Sequence, residues 1–182
     1  MNQFEASIIL WIQENLRGAM DSFWIFVTHL GDEGYLWIAL GIVLLFWKKT
    51  RPIGITVLLS LLLDFLIINV SLKGLVARPR PFVVNETIVP LVGGVSPYRS
   101  FPSGHSGGSF AAMLALSKWV PKKVGIPAIV LASMVALSRL YVGVHYPTDI
   151  LGGFVVGLVS SFVAYRIVKS VMRKKGENRI DG

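Results

Sequence analysis

Two histidines, three cations and one carboxylate occur in short polar segments, and each segment borders a long apolar run. The segments are Lys73-Gly-Leu-Val-Ala-Arg78-Pro-Arg80-Pro81, Pro102-Ser103-Gly104-His105, and Ser138-Arg139 followed by His145-Tyr-Pro-Thr-Asp149. Arginine offers a planar fork that matches phosphate oxygens, and lysine offers a point charge. Fixed cations around imidazoles can hold a phosphoryl group and transfer it without a metal ion. These residue types therefore predict phosphoryl-transfer chemistry.

The neighbours of the two histidines predict different roles for them. Asp149 follows His145 by four residues across the start of a predicted helix. A carboxylate there can hold one ring nitrogen as an N–H donor and leave the other free to attack phosphorus. His105 has no carboxylate close in sequence, so it is the better candidate to protonate the leaving oxygen. We expect a phosphohistidine to form on His145, and water activated by His105 then to release phosphate.

The phosphate is expected to bind at helix starts. Ser103 is a preferred N-cap residue, and Gly104 lets the backbone approach a ligand closely. Free N–H groups at a helix start form an anion site. Lys73, Arg80 and Arg139 would neutralise the charge on the transferring oxygens. We expect no metal and no cofactor, and the absence of cysteine excludes a thiolate metal site.

The composition indicates that membrane helices position these residues. The chain is 53% hydrophobic and 15% charged, with a mean hydropathy of +0.64, whereas a soluble domain of this size carries more charge. Five apolar runs are predicted spanning helices, namely residues 35–47, 53–72, 104–119, 124–141 and 150–171. We expect a single membrane-embedded domain over residues 1–182. Its fold class is all-α, a polytopic bundle of about six transmembrane helices.

The N-terminal segment supports two interpretations equally. Within residues 1–20, Phe4, Ile8 and Trp11 recur at helical spacing opposite Glu14 and Arg17, a pattern typical of an amphipathic helix in the membrane interface. The same residues could instead form half of a broken sixth span that continues through residues 23–30.

The basic residues predict the orientation. Twelve of the 18 lysines and arginines fall at loops or ends that alternation places on one side, and that side should be cytoplasmic. They are Lys48, Lys49, Arg51, Lys118, Lys122, Lys123, Arg166, Lys169, Arg173, Lys174, Lys175 and Arg179. The basic tail at 172–182 is then cytoplasmic. The polar segments lie on the opposite side, so we expect the active site at the extracytoplasmic face of the plasma membrane.

At these positions the chain resembles the type 2 phosphatidic acid phosphatase family, which is related to vanadium-dependent haloperoxidases. The family pattern is K-x6-R-P, then P-S-G-H, then S-R-x5-H-x3-D, and every signature position is present between residues 73 and 149. The resemblance implies a metal-independent phosphatase with a six-helix membrane core. It assigns phosphate binding to Lys73, Arg80, Ser103, Gly104 and Arg139. It makes His145 the nucleophile, Asp149 its orienting partner and His105 the acid.

The substrate expected from these features is a membrane lipid that carries a phosphate or diphosphate. A site on the outer face of a small protein suits carrier-lipid recycling, so undecaprenyl diphosphate is the leading candidate. Phosphatidylglycerol phosphate and phosphatidic acid are close alternatives. The other activity considered is a lipid phosphotransferase with the same site. A transporter is disfavoured because transport sites lie near the midplane.

The remaining partners are predicted from charge and burial. The basic residues form no soluble basic face, so nucleic-acid binding is not expected, and the sequence does not indicate an oligomeric state.

Arg78 is outside the motif pattern and is interpreted as a headgroup or surface contact. Asp64 lies nine residues before Lys73, nearly opposite it on an ideal helix, and is interpreted as a structural pairing or helix contact. Several glycines are expected to let helices approach closely, namely Gly107, Gly108, Gly152, Gly153 and Gly157.

Overall fold

Helices account for most of residues 3–177, the part of the chain that this computed structural model describes, and no strand occurs among them. The helices are α1 (Gln3–Asn15), α2 (Asp21–His29), α3 (Tyr35–Leu45), α4 (Arg51–Phe65), α5 (Lys73–Val76), α6 (Pro81–Val84), α7 (Gly104–Ser117), α8 (Lys122–Tyr141) and α9 (Pro147–Glu177). A 3-10 turn, Asp32–Gly34, joins α2 to α3, and a π-helical segment, Leu66–Leu72, joins α4 to α5. The all-α class is confirmed, and each of the five predicted apolar runs forms a helix.

Three helical segments among the described residues are long and apolar enough to cross a membrane: Arg51–Val84, Lys122–Tyr141 and Pro147–Lys174. They carry large side chains on their outer surfaces, among them Ile126, Leu151 and Phe162, each more than half exposed. An exposed apolar surface of this extent is typical of a membrane protein. The last helix extends through the start of the predicted basic tail, and residues 178–182, including Arg179, lie outside the described residues.

The bundle contains α2, α3, α4, α7, α8 and α9, which agrees with the expected number of about six helices. Its central helix is α7, which packs against α4, α8 and α9 and is rich in glycine, alanine and serine. The close contact with α9 depends on glycine: a Cβ on Gly153 would lie 2.5 Å from the Ser103 carbonyl oxygen, and one on Gly157 would lie 2.6 Å from the Gly107 oxygen. The predicted close approach of the glycine-bearing helices is confirmed here.

The two N-terminal helices have different positions. Helix α1 lies across the end of the bundle, where Ile9 packs against Ile88 and Tyr146. Helix α2 packs along α8. Its first residue, Asp21, accepts a hydrogen bond from Tyr141 Oη at 2.7 Å. A nine-residue helix is about 14 Å long, roughly half the hydrocarbon thickness. Helix α2 therefore supplies a short sixth member of the bundle, and the two interpretations of the N-terminal segment stay predictions.

Candidate active site

The three predicted motif segments meet at one end of the bundle. Ser103 N donates to the Asp149 carbonyl oxygen at 3.0 Å, which joins the start of α7 to the start of α9. Arg80 Nη1 donates to the Val144 carbonyl oxygen at 2.8 Å, which joins the segment before α6 to the α8–α9 turn. Ser103 caps α7, and its side chain accepts from Ser106 N at 3.4 Å. All eight predicted site residues therefore belong to this end of the bundle.

His145 and Asp149 form a buried pair. His145 Nδ1 lies 3.3 Å from Asp149 Oδ2, and Nε2 lies 3.1 Å from Arg80 Nη1. A guanidinium can only donate, so Nε2 is the acceptor and Nδ1 carries the hydrogen that Asp149 accepts. Burial lowers the pKa of His145 to about 3, although the hydrogen bond with Asp149 opposes that shift. The ring is therefore neutral near pH 7, with the lone pair of Nε2 on the side of the cations.

The Asp149 carboxylate is fully buried and accepts from several donors. Ser100 Oγ lies 2.5 Å and Tyr146 N lies 2.8 Å from Oδ2, and Arg78 Nη1 lies 2.7 Å from Oδ1. A buried carboxylate without such partners would carry a large desolvation cost. These contacts fix the carboxylate, which in turn fixes the ring of His145.

The three predicted cations surround the same space, and none has a direct acidic partner within residues 3–177. Arg80 is 6% exposed and Arg139 is 3% exposed, and each acts electrostatically on Lys73. Arg139 Nη1 donates to Thr28 Oγ1 at 2.5 Å, but its buried Nε has no hydrogen-bond partner among the described residues. Buried donors are nearly always paired. Like charges around an unpaired donor form a site that an anion such as phosphate would stabilise.

Lys73 is positioned by the helix that carries it. Its Nζ donates to Asn69 Oδ1 at 2.7 Å, so the amide four residues earlier supports the ammonium group. A Cβ on Gly104 would lie 3.2 Å from the Lys73 Nζ, so the ammonium group rests against the start of α7. A side chain at Gly104 would compete with this approach.

The position of Asp64 relative to Lys73 differs from the ideal-helix prediction. The Leu66–Leu72 segment between them is π-helical, and a π turn contains more residues than an α turn. This segment changes the helical phase, so both residues line the same groove. Asp64 is 3% exposed and lies against Gly107, and its Oδ1 has no partner among the described residues. The predicted contact of Asp64 with a neighbouring helix is confirmed. The predicted structural pairing of its carboxylate is not observed among the described residues.

His105 has a carboxylate partner that is distant in sequence. Asp32, in the 3-10 turn, places Oδ1 2.9 Å from His105 Nε2 and Oδ2 2.6 Å from His29 Nδ1. Sequence reasoning missed Asp32 because 73 residues separate it from His105. The only signal was the Gly-Asp-Glu-Gly segment, Gly31 to Gly34, which is typical of a tight turn.

A second missed residue, Glu5, reaches the site from α1. Its Oε2 accepts from Arg78 Nη2 at 2.7 Å, and its Oε1 accepts from Thr148 N at 3.0 Å, at the start of α9. Arg78 thus bridges Glu5 and Asp149, and its guanidinium lies 4.0 Å from the ring centre of Tyr146. The predicted headgroup or surface role of Arg78 does not agree with this placement, because protein groups occupy its donors.

A groove of about 410 Å³ leads from the site between α3 and α4. His105, Lys73 and Asn69 line its polar end. Glu33 and Asp64 also line the groove, and its other large side chains are apolar, among them Trp37, Leu58, Leu61 and Phe65. Phe65 is 52% exposed at the rim, on the outer surface of the bundle. Within residues 3–177, no group of three or more histidine and acidic side chains is placed to hold a metal ion.

Comparison with known sequences identifies a family and several relatives. Residues 53–173 match the family model of the PAP2 superfamily. An undecaprenyl-diphosphatase of Sulfolobus acidocaldarius is 34% identical, covering 97% of this chain and 84% of its own length. The undecaprenyl-diphosphatase BcrC of Bacillus subtilis is 32% identical, covering 82% and 76%. Phosphatidylglycerophosphatase B of Bacillus subtilis is 34% identical, covering 90% and 78%.

Two solved structures have a similar fold. The crystal structure of Aquifex aeolicus LpxE superimposes with a TM-score of 0.80 at 24% identity, covering 90% of this chain and 95% of LpxE. The PAP2-type phosphatidylglycerolphosphate phosphatase of Bacillus subtilis superimposes with a TM-score of 0.74 at 31% identity, covering 94% and 86%. Both similarities extend well beyond the three motifs to nearly the whole helical bundle.

Proposed function

The chain belongs to the PAP2 superfamily, and on that premise we propose that it hydrolyses a membrane lipid phosphate through a phosphohistidine on His145. One observation carries the proposal: Asp149 holds Nδ1 of a neutral, buried imidazole whose Nε2 faces Arg80. Such an imidazole can act as a nucleophile. The relatives described above are named phosphatases, which supports the reaction class.

The proposed reaction has two steps. In the first, His145 Nε2 attacks phosphorus, the bond from phosphorus to the lipid oxygen breaks, and His105 gives its proton to that oxygen. In the second, water attacks phosphorus and gives a proton to His105 while the P–N bond breaks and inorganic phosphate leaves. Lys73, Arg80 and Arg139, with the Ser103 hydroxyl and the Gly104 N–H group, would stabilise the oxygens throughout.

The groove between α3 and α4 supports a lipid as the substrate. It begins at His105 and Lys73 and continues along apolar side chains toward the outer surface of the bundle. A phosphate bound by the cations would place its attached hydrocarbon chain in this groove. A water-soluble phosphate ester would leave the apolar part unfilled. We therefore propose that the chain of the lipid occupies the groove.

Undecaprenyl diphosphate is the proposed substrate, and phosphatidylglycerol phosphate is the main alternative. Relatives named for each activity are similarly close, at 32–34% identity. The preference depends on the proposed orientation, in which the site faces outside, where carrier diphosphate is expected. The orientation is supported by the basic residues at the α3–α4 loop, the α7–α8 loop and the end of α9, all at the end of the bundle opposite the site.

His145→Ala is expected to abolish the phosphoenzyme and to lower phosphate release by roughly a thousandfold or more, because no other group can replace the nucleophile. The measurement is acid-labile, alkali-stable radioactive phosphate on protein quenched during turnover of undecaprenyl diphosphate labelled at its β-phosphate, or of radiolabelled p-nitrophenyl phosphate. His105→Ala is the control: it retains His145 and should still form the phosphoenzyme from p-nitrophenyl phosphate, whose leaving group needs no proton. A phosphoenzyme of normal yield in His145→Ala would contradict the proposal.

Purified protein is expected to release phosphate faster from undecaprenyl diphosphate than from phosphatidylglycerol phosphate or phosphatidic acid. Initial rates with all three lipids, each in the same detergent at matched surface concentration, give kcat/KM values that can be compared directly. Equal or faster release from phosphatidylglycerol phosphate would contradict the undecaprenyl preference while leaving the phosphatase activity intact.

Leu61→Trp is expected to lower kcat/KM for a lipid substrate by about tenfold, because an enlarged side chain in a packed groove costs about 1–3 kcal/mol. Hydrolysis of p-nitrophenyl phosphate, which has no chain, should change little. Leu158→Trp is the matched control, since Leu158 is 41% exposed on the outer surface of α9 and lies outside the groove. An equal loss of kcat/KM with the lipid and with p-nitrophenyl phosphate would argue against a lipid chain in the groove.

The C-terminal tail is expected to be cytoplasmic and the loop at Glu86 to face outside. Single cysteines can test this, because the natural chain has none. A membrane-impermeant maleimide on intact cells should label Glu86→Cys and leave Arg173→Cys unlabelled until the cells are opened. The reverse pattern would overturn the orientation.

A further inference from the structure

A row of three side chains leads from the site to its surface. It consists of His105, which is 20% exposed, Asp32, which is 45% exposed, and His29, which is 57% exposed. Asp32 bridges the two rings with one carboxylate oxygen on each. We infer that Asp32 is a positioning residue that orients His105 and favours its protonated, acid form. This inference rests on the proposed phosphohistidine reaction.

The turn that carries Asp32 is shaped to reach His105. A Cβ on Gly31 would lie 2.8 Å from His105 Cδ2 and 2.7 Å from Val135 Cγ1, so only a glycine permits this approach without displacement. Glu33 and Gly34 both have positive φ, at 47° and 70°. A positive φ is unfavourable for glutamate. The backbone therefore accepts a strained conformation at the position next to the carboxylate.

The charges around His105 show why it requires an anion. Burial disfavours a positively charged His105 ring most strongly, and Arg139 from α8 and Lys73 from α5 add to that effect, whereas Asp32 opposes it. Among the charged groups acting on His105 in residues 3–177, Asp32 is the anion, and it makes direct contact. Burial raises the pKa of Asp32, but hydrogen bonds with His29 and His105 bring it below its ordinary value. The carboxylate is thus charged when the reaction needs an imidazolium.

The contact also selects the reacting nitrogen. Because Nε2 donates to Asp32, Nδ1 is the nitrogen that remains for the lipid oxygen. The Nδ1 proton passes to that oxygen as the P–O bond breaks and the bond between His145 Nε2 and phosphorus forms. In the second step water returns a proton to Nδ1 as the P–N bond breaks. Asp32 stays ionised in both steps, and its negative charge compensates the imidazolium.

The test is Asp32→Asn, which keeps the size and an accepting oxygen but removes the charge. Loss of a contacting opposite charge should lower the pKa of His105 by about one unit or more. The alkaline limb of the pH profile of kcat/KM should therefore move to lower pH by about one unit. At pH values above the shifted limb, kcat/KM of the variant should be roughly tenfold lower than that of the wild type. The loss should appear with dioctanoyl phosphatidic acid, whose alkoxide needs a proton, and be small with p-nitrophenyl phosphate. The constant kcat/KM reports only steps up to the phosphoenzyme, so slow dephosphorylation cannot imitate this result.

The matched control is Glu86→Gln, an exposed carboxylate in the loop after α6, which should behave as the wild type with both substrates. Asp32→Glu restores the charge and should return the alkaline limb toward its wild-type position. If Asp32→Asn folds poorly, the pH profile of Asp32→Glu still tests the inference. An unshifted limb, or equal loss with both substrates, would overturn the inference while phosphate release by the wild type upholds the proposed function. Failure of the wild type to form a phosphoenzyme would overturn the proposed function itself.

Discussion

Asp149 is a carboxylate with no exposure to solvent at the point where several segments of the chain meet. Its oxygens accept from Ser100, from Tyr146 N, from His145 and from Arg78. A buried carboxylate is tolerated only when its charge and lone pairs are compensated. Each of these segments must therefore return to the same place before the fold is stable. That requirement assembles the site, because the same contacts orient His145 and bring Arg78 and α1 to the end of the bundle.

The charges in the cationic part of the site, unlike that of Asp149, are not compensated by direct contacts with opposite charges among the described residues. Lys73, Arg80 and Arg139 are held close together by an amide side chain, backbone carbonyls and a hydroxyl group, respectively. The buried Nε of Arg139 has no partner among the described residues. Mutual repulsion makes this arrangement unfavourable without an anion, and a bound phosphoryl group would relieve it. A rigid bundle can maintain such a site because α7 and α9 are locked by glycine contacts such as Gly153 on Ser103 and Gly157 on Gly107. Preorganised charge of this kind is a large contribution to catalysis.

The membrane setting explains how a helical bundle can present a catalytic site to a lipid phosphate. The polar groups gather at one end of the helices, and the groove between α3 and α4 connects them to the apolar surface. In the proposed arrangement the lipid chain would lie in this groove while its phosphate reaches the cations. The turn at Asp32 adds a carboxylate beside this groove and connects His105, the proposed acid, to the exposed His29.

The sequence by itself determined the helical class, the five long apolar runs, the family and the residues of the three motifs. These features depend on local composition and spacing, which a single chain displays directly: His145 and Asp149 are one helical turn apart, and Ser103 caps the helix that it precedes. Only the tertiary structure decided the partners from distant segments, Asp32 for His105 and Glu5 for Arg78. It also placed Asp64 on the side of Lys73, since a π-helical segment changes the helical phase in a way that residue spacing does not reveal. Contacts between residues far apart in sequence depend on how helices pack, and a single sequence does not encode them in any short-range pattern.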